Sequence, residues 1–155
     1  TGLSPEKSLR DLDPSNLNQS FRVNAFGPIL VAKHFYPLVD NPDRAVIANM
    51  SARIGSIGDN HIGGWYGYRA SKAAQNQFTR TLSIEIDRRS ANAICVALHP
   101  GTVDTQLSRP YHSSVPEEQI FSTETSAKKL LTVIDNLEPD DSGQFFDYAG
   151  EPIQW

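Results

Sequence analysis

Two short apolar runs, "DRAVIANMS" and "NAICVALHP", lie between long helical patterns, and this constrains the fold more than any other feature. A strand with one wet face alternates apolar and polar residues. A continuously apolar run belongs to a strand covered on both sides. The runs are separated by a segment of helical length, so a tight hairpin cannot join them. Strands joined by such a crossover run parallel. We therefore expect an α/β protein with a parallel sheet and helices on its faces.

The helical segments carry their own start signals. Asp13 followed by Pro14 reads as an N-cap and first helical residue. From there Leu17, Phe21, Ala25, Ile29 and Ala32 recur at helical spacing, giving a helix to about Leu38. Gly27-Pro28 should weaken or bend it. A strand is expected from about Arg44 to Ser51, after the turn "DNPD". The glycine- and asparagine-rich "GSIGDNHIGG" then reads as a loop. A second long helix follows from Trp65 or Tyr66 to about Arg88, with Ala70, Ala73, Ala74, Phe78, Leu82 and Ile86 as its packed face. After "NAICVALHP", residues 101 to about 121 read as loop, and 106–121 as either a substrate lid or an ordinary surface loop. Ser122 or Thr123 caps a third helix, and "SGQFFDYAG" is a short final strand. The aromatic residues Phe21, Phe26, Phe35 and Tyr36 on the first helix read as core or interface.

Several function classes are disfavoured. A net charge of −4 and scattered basic residues do not make a nucleic-acid footprint. No apolar stretch is long enough for a membrane helix. The one cysteine, Cys95, lies within an apolar run, which suits a buried structural thiol and a reducing, cytoplasmic setting. His34, His61, His99 and His112 are far apart, so no metal site is expected. Ser51, His99 and Asp104 could be drawn as a hydrolytic triad, but Ser51 is flanked by Met50 and Ala52 and has no nucleophile elbow.

The residues that carry chemistry centre on "YRASK". Tyr68 and Lys72 are one helical turn apart on one face. An ammonium beside a phenol favours phenolate and makes the tyrosine a general acid/base. The same spacing also describes a plain solvated helix pair.

Four segments together resemble the short-chain dehydrogenase/reductase family, over almost the whole chain. "YRASKAA" at 68–74 resembles its Tyr-x-x-x-Lys segment, and "RVNAFGP" at 22–28 the segment of its catalytic asparagine. "VIANMSARIGS" at 46–56 resembles the strand end carrying the active-site serine. "HPGTVDT" at 99–105 resembles the Pro-Gly turn at the nicotinamide. "GDNHIGGWYGYRASKAA" and "GQFFDYAGEPIQW" look most like the C-factor-like and sniffer-like carbonyl reductase branch. The resemblance implies a Rossmann-like parallel sheet, here its C-terminal half with about three strands and three helices. It implies hydride transfer between NAD or NADP and a carbonyl or alcohol. Tyr68 would be the proton donor, Lys72 its electrostatic partner and ribose ligand, and Asn24 the holder of a relay water. Pro100, Gly101, Val103 and Thr105 would shape the turn at the carboxamide. A homodimer or homotetramer through the two long helices is expected.

Two departures accompany the resemblance. The family usually ends the serine strand with two hydroxyl positions, the second catalytic, whereas here the pair is Ser51-Ala52. Ser51 is our candidate, with Ser56 as the alternative. The glycine-rich turn that holds a dinucleotide pyrophosphate is missing. The chain starts Thr1-Gly2-Leu3-Ser4 and its one methionine is Met50. Residues 1–155 are thus expected to be the C-terminal portion of one dehydrogenase domain, with further strands before Thr1. Alone, they should bind NAD(P) poorly or not at all. The alternative function is a cofactor-free, C-factor-like signalling or partner-binding protein.

Overall fold

The computed structural model describes residues 6–39, 43–89, 92–109, 112 and 115–155. Thr1–Ser4, most of the "DNPD" turn and four residues of the 106–121 segment fall outside this set. The elements run α1 (Pro14–Phe21), a π turn (Arg22–Phe26), α2 (Gly27–Val39), β1 (Ala45–Met50), α3 (Tyr66–Asp87), β2 (Ala93–His99), β3 (Thr102–Val103), β4 (Ile120–Phe121), α4 (Thr123–Asn136) and β5 (Phe145–Asp147).

The main sheet has the order β1-β2-β5 and both pairings are parallel. Registers run from Ala45 opposite Ala93 to Met50 opposite Leu98, and from Ala97 opposite Phe145 to His99 opposite Asp147. β2 is central, and its alternate side chains enter two different cores. Ile94, Val96 and Leu98 pack with Leu130, Val133 and Leu137 of the α4 region. Ala93 and Cys95 pack with Ala32 of α2 and with Leu82 and Ile86 of α3. This double coverage is the physical reason for the unbroken apolar run. Fully burying a side chain such as Ile94 or Ile86 contributes about 1.5–3 kcal/mol. Cys95 is fully buried, and burial pushes its thiol up to about 12.

Caps follow the expected chemistry. The Asp13 carboxylate accepts from the backbone N–H groups of Ser15 and Asn16, with Pro14 at the first helical position. Ser122 accepts from the Thr125 N–H and starts α4. The Arg44 guanidinium donates to the carbonyls of Ile134 and Leu137, closing the other end of α4.

The first helix is loosened as expected near Gly27-Pro28, at the π turn Arg22–Phe26, where the Gly27 N–H reaches back to the Arg22 carbonyl. Two other expectations are corrected. The segment after β2 is not all loop, because Thr102–Val103 and Ile120–Phe121 form a small parallel pair. The buried face of α3 includes the expected Leu82 and Ile86, but its first half is polar, with Ala73, Ala74 and Phe78 only half-buried. Its buried residues are Gly67, Ser71, Lys72, Gln75, Asn76, Thr79, Leu82, Ser83 and Ile86, whereas Ala70 is exposed. Ser71, Thr79 and Ser83 donate their hydroxyls to carbonyls of their own helix, so these small polar groups are satisfied while buried.

Candidate active site

The candidate site lies where α3 meets the C-terminal end of β1. Residues Gly63, Gly64 and Trp65 lead into α3 with φ of 71°, 65° and 53°. Trp65 is a non-glycine residue in left-handed backbone, a conformation that surrounding structure must hold in place. Arg69 supplies part of that support by donating to the carbonyls of Gly63, Gly64 and Ile54. The buried Glu6 carboxylate accepts from the Gly67 N–H, placing an anion at the positive end of α3. These contacts fix the first turns of the helix carrying Tyr68 and Lys72.

Past Tyr68, the helix is fastened to the strand by polar side chains. Lys72, Gln75, Asn76 and Thr79 fall on one face of α3, at spacings of three and four residues. The Lys72 ammonium donates to the Met50 carbonyl (2.8 Å) and to Gln75 Oε1 (2.9 Å). Gln75 Nε2 donates to the same Met50 carbonyl (3.0 Å). The Ser51 hydroxyl donates to Asn76 Oδ1 (2.5 Å), and Asn49 Nδ2 donates to Thr79 Oγ1 (3.0 Å). Lys72 is 9% exposed, and burial pulls its ammonium down to about 8. The turn after β1 also presses onto this point. A Cβ on Gly55 would lie 2.8 Å from Lys72 Cβ and 2.9 Å from the Lys72 carbonyl carbon, a space only glycine fits.

Asn24 joins from the π turn. Its side-chain amide donates to Ser71 Oγ (3.0 Å), and that hydroxyl donates to the Tyr68 carbonyl (2.9 Å). Pro28 stands one α-turn after Asn24 and has no N–H, so the Asn24 carbonyl has no α-helical donor. Single π turns of this kind recur at functional sites.

Asn24 is thus tied through the Ser71 hydroxyl to the Tyr68 backbone, on the helix that also carries Lys72. Tyr68 is half-buried. Ser51 is 3% exposed and its hydroxyl is engaged with Asn76. The extended backbone of Ala52 turns the next side chain to the opposite side. Ser56 is buried as well, with its hydroxyl accepting from the Asp59 N–H.

The "HPGTVDT" turn leaves the end of the central strand. Gly101 has φ of +77°, and a Cβ there would lie within 3 Å of the Phe121 and Tyr148 rings. Those rings meet edge to face at 4.7 Å, with the Lys129 ammonium over both. The Pro100 carbonyl accepts from Ser126 of α4, and Val103 pairs with Phe121. Thr105 donates its backbone N–H to Ser108 Oγ. His99 lies beside Asp147 in the register, and its Nδ1 is buried without a hydrogen-bond partner among the described residues. Burial, with Arg53 nearby, pushes His99 down to about 4. Among the described residues no three His, Cys, Asp or Glu side chains gather as for a metal, and no helix is long and apolar enough to cross a membrane.

The short chain dehydrogenase family model matches residues 1–115. The chain belongs to that family. It is 34% identical to C-signal of Myxococcus xanthus over 96% of this chain and 84% of that protein. The fold matches carbonyl reductase Sniffer of D. melanogaster with a TM-score of 0.86, at 30% identity, over 100% of this chain and 64% of that one. It matches an NADPH-bound carbonyl reductase from chicken fatty liver with the same score, at 27% identity, over 100% of this chain and 63% of that one. The chain therefore spans under two thirds of these carbonyl reductases.

Sequence reasoning missed Ser71, Gln75, Asn76 and Thr79. Their signal was present as polar residues at helical spacing, in register with Lys72.

Proposed function

We propose that these residues form the proton-transfer part of an NAD(P)-dependent oxidoreductase acting on a carbonyl or alcohol. The observation that supports this reading is that one helix carries Tyr68, whose backbone is tied through Ser71 to Asn24, and, one turn on, Lys72 buried against the Met50 carbonyl at the end of a parallel strand. Tyr68 would give its proton to the carbonyl oxygen during reduction and take it back during oxidation. The Lys72 ammonium one turn away favours the phenolate left behind. The Asn24 carbonyl, without an α-helical donor, can hold a water that resupplies the proton.

The nicotinamide cofactor, when bound, supplies or receives the hydride. The chain fits its nicotinamide end. Lys72 offers a charged donor for ribose hydroxyls, and Pro100, Gly101, Val103 and Thr105 would shape the turn at the carboxamide, with Gly101 packed against the Phe121 and Tyr148 rings. The phosphate end calls for a glycine-rich turn not found in these residues, and we read 1–155 as the C-terminal portion of one dehydrogenase domain. For the active-site serine, Ser51 or Ser56 must exchange its present partner for the substrate oxygen. Val23, Phe26, Leu30, Val31, Phe35 and Leu38 are 44–69% exposed along α2 and the turn before it, a surface suited to a homodimer or homotetramer.

The test is Tyr68→Phe in the full-length oxidoreductase carrying these residues, assayed with NADH and NADPH on aldehydes and ketones. Turnover should fall at least about 100-fold while cofactor affinity is kept. Near-normal turnover would overturn the assignment. The exposed apolar stripe and the likeness to C-signal favour a second reading, in which the chain binds a protein partner without cofactor. Partner binding by the 155-residue chain that is unchanged by saturating NADPH, with no NADPH binding of its own, would support that reading.

A further inference from the structure

We propose that Gln75 is a positioning residue for Lys72: it holds the ammonium against the end of β1 and keeps it charged despite burial. The role rests on the oxidoreductase reading of Tyr68 and Lys72, but the geometry stands apart from it. Lys72 Nζ, Gln75 and the Met50 carbonyl close a three-cornered ring. Nζ donates to both oxygens, and Gln75 Nε2 donates to the carbonyl that Nζ also uses. Gln75 is 2% exposed, so neither end of its amide can rely on bulk water.

No carboxylate takes part. β1 carries no ionisable side chain, and the elements packed around this turn supply Tyr68 and Arg69 on α3, Arg53 on the turn after β1, Arg22 in the π turn and His99 at the end of β2, while the Glu6 carboxylate is held at the Gly67 N–H. The depression of Lys72 traces to burial alone. A neutral acceptor is then the device that offsets desolvation without quenching the charge. A carboxylate at this position would hold the ammonium more tightly, but its negative charge would weaken the field that favours the Tyr68 phenolate. An apolar side chain would let the lysine lose its proton at working pH.

The test follows the Lys72 side-chain NMR resonance through a pH titration of the 155-residue chain, with Lys72→Met identifying the signal. Wild type should titrate near pH 8. Gln75→Met keeps the side-chain length and removes both hydrogen-bonding ends, and its midpoint should fall by about one unit. Gln75→Glu should raise the midpoint by a similar amount. If Gln75→Met fails to fold, the Gln75→Glu shift alone decides. Midpoints within experimental error of wild type in the folded variants would overturn the proposal. Because the readout is a titration, it separates from the catalytic reading. Shifted midpoints with an active Tyr68→Phe enzyme would leave the clamp standing and remove the mechanism built on it.

Discussion

Lys72, buried, and His99, half-buried with its Nδ1 inside, are both bases at the C-terminal ends of neighbouring strands, and their surroundings treat them in opposite ways. Lys72 sits in a seam where α3 and β1 exchange hydrogen bonds, with two oxygens within 3 Å of its ammonium. His99 sits at the rim between β2 and β5. Its Nδ1 has no partner there among the described residues, and the nearest carboxylate, Asp147, is already occupied. One Asp147 oxygen accepts from the N–H groups of Ala149 and Glu151, and the other from Arg53. Burial alone decides neither outcome. The seam supplies two acceptors for a cation, and burial brings Lys72 down only to about 8. The rim supplies none to His99, which stays neutral. A charge kept in the seam can act on Tyr68, whereas a neutral ring at the rim serves packing beside the Gly101 turn.

The largest expected effect lies at the rim. His99 is held near 4 in the fold and returns to an ordinary value of about 6.5 when unfolded. Between those values the unfolded chain binds more protons, so acidification favours it. The contribution is intact above about pH 6.5 and is lost progressively down to about pH 4, amounting to about 3 kcal/mol. Urea unfolding across this range, compared with His99→Phe, isolates the effect from the carboxylates. Parallel profiles in the two proteins would break the contrast.

A smaller effect should come from the seam. Ser51→Ala leaves Asn76 Oδ1 buried without its donor and should cost about 1–2 kcal/mol in urea unfolding. Ser56→Ala loses one acceptor in a turn and should cost less, and activity should follow the same order. The reverse order would place the tighter and more critical serine in the loop. The smallest effect belongs to Arg53, which bridges Asp59 and Asp147 with its side chain 47% exposed. Arg53→Gln should cost at most about 1 kcal/mol, and less at high salt. A larger, salt-insensitive loss would make that bridge part of the rim's buried framework.

Much of this was legible in the sequence because it follows from local or periodic rules. Asp13-Pro14 announced a helix start, and "AICVALH" announced a strand covered on both sides. The order of Asn24, Ser51, Tyr68 and "HPGTVDT" marked the family. The face of α3 was misread for a physical reason. Alanines look apolar and serines polar, but a serine that bonds its own helix can be buried at little cost, and an alanine costs little when exposed. The pairing of Thr102–Val103 with Ile120–Phe121 was hidden because strands that short carry no periodicity.

The sequence by itself determined the class of fold, the positions of the long helices and of the three strands of the main sheet, and the one-turn spacing of Tyr68 and Lys72. Those features depend on residues near one another in the chain. The tertiary structure decided which side of α3 meets β1, that Gln75 and the Met50 carbonyl receive the lysine, and that the Ser51 hydroxyl turns to Asn76. The contacts of Lys72 with the Met50 carbonyl and of Ser51 with Asn76 join residues 22 and 25 positions apart, and the packing of helix against strand brings their donors and acceptors within bonding distance.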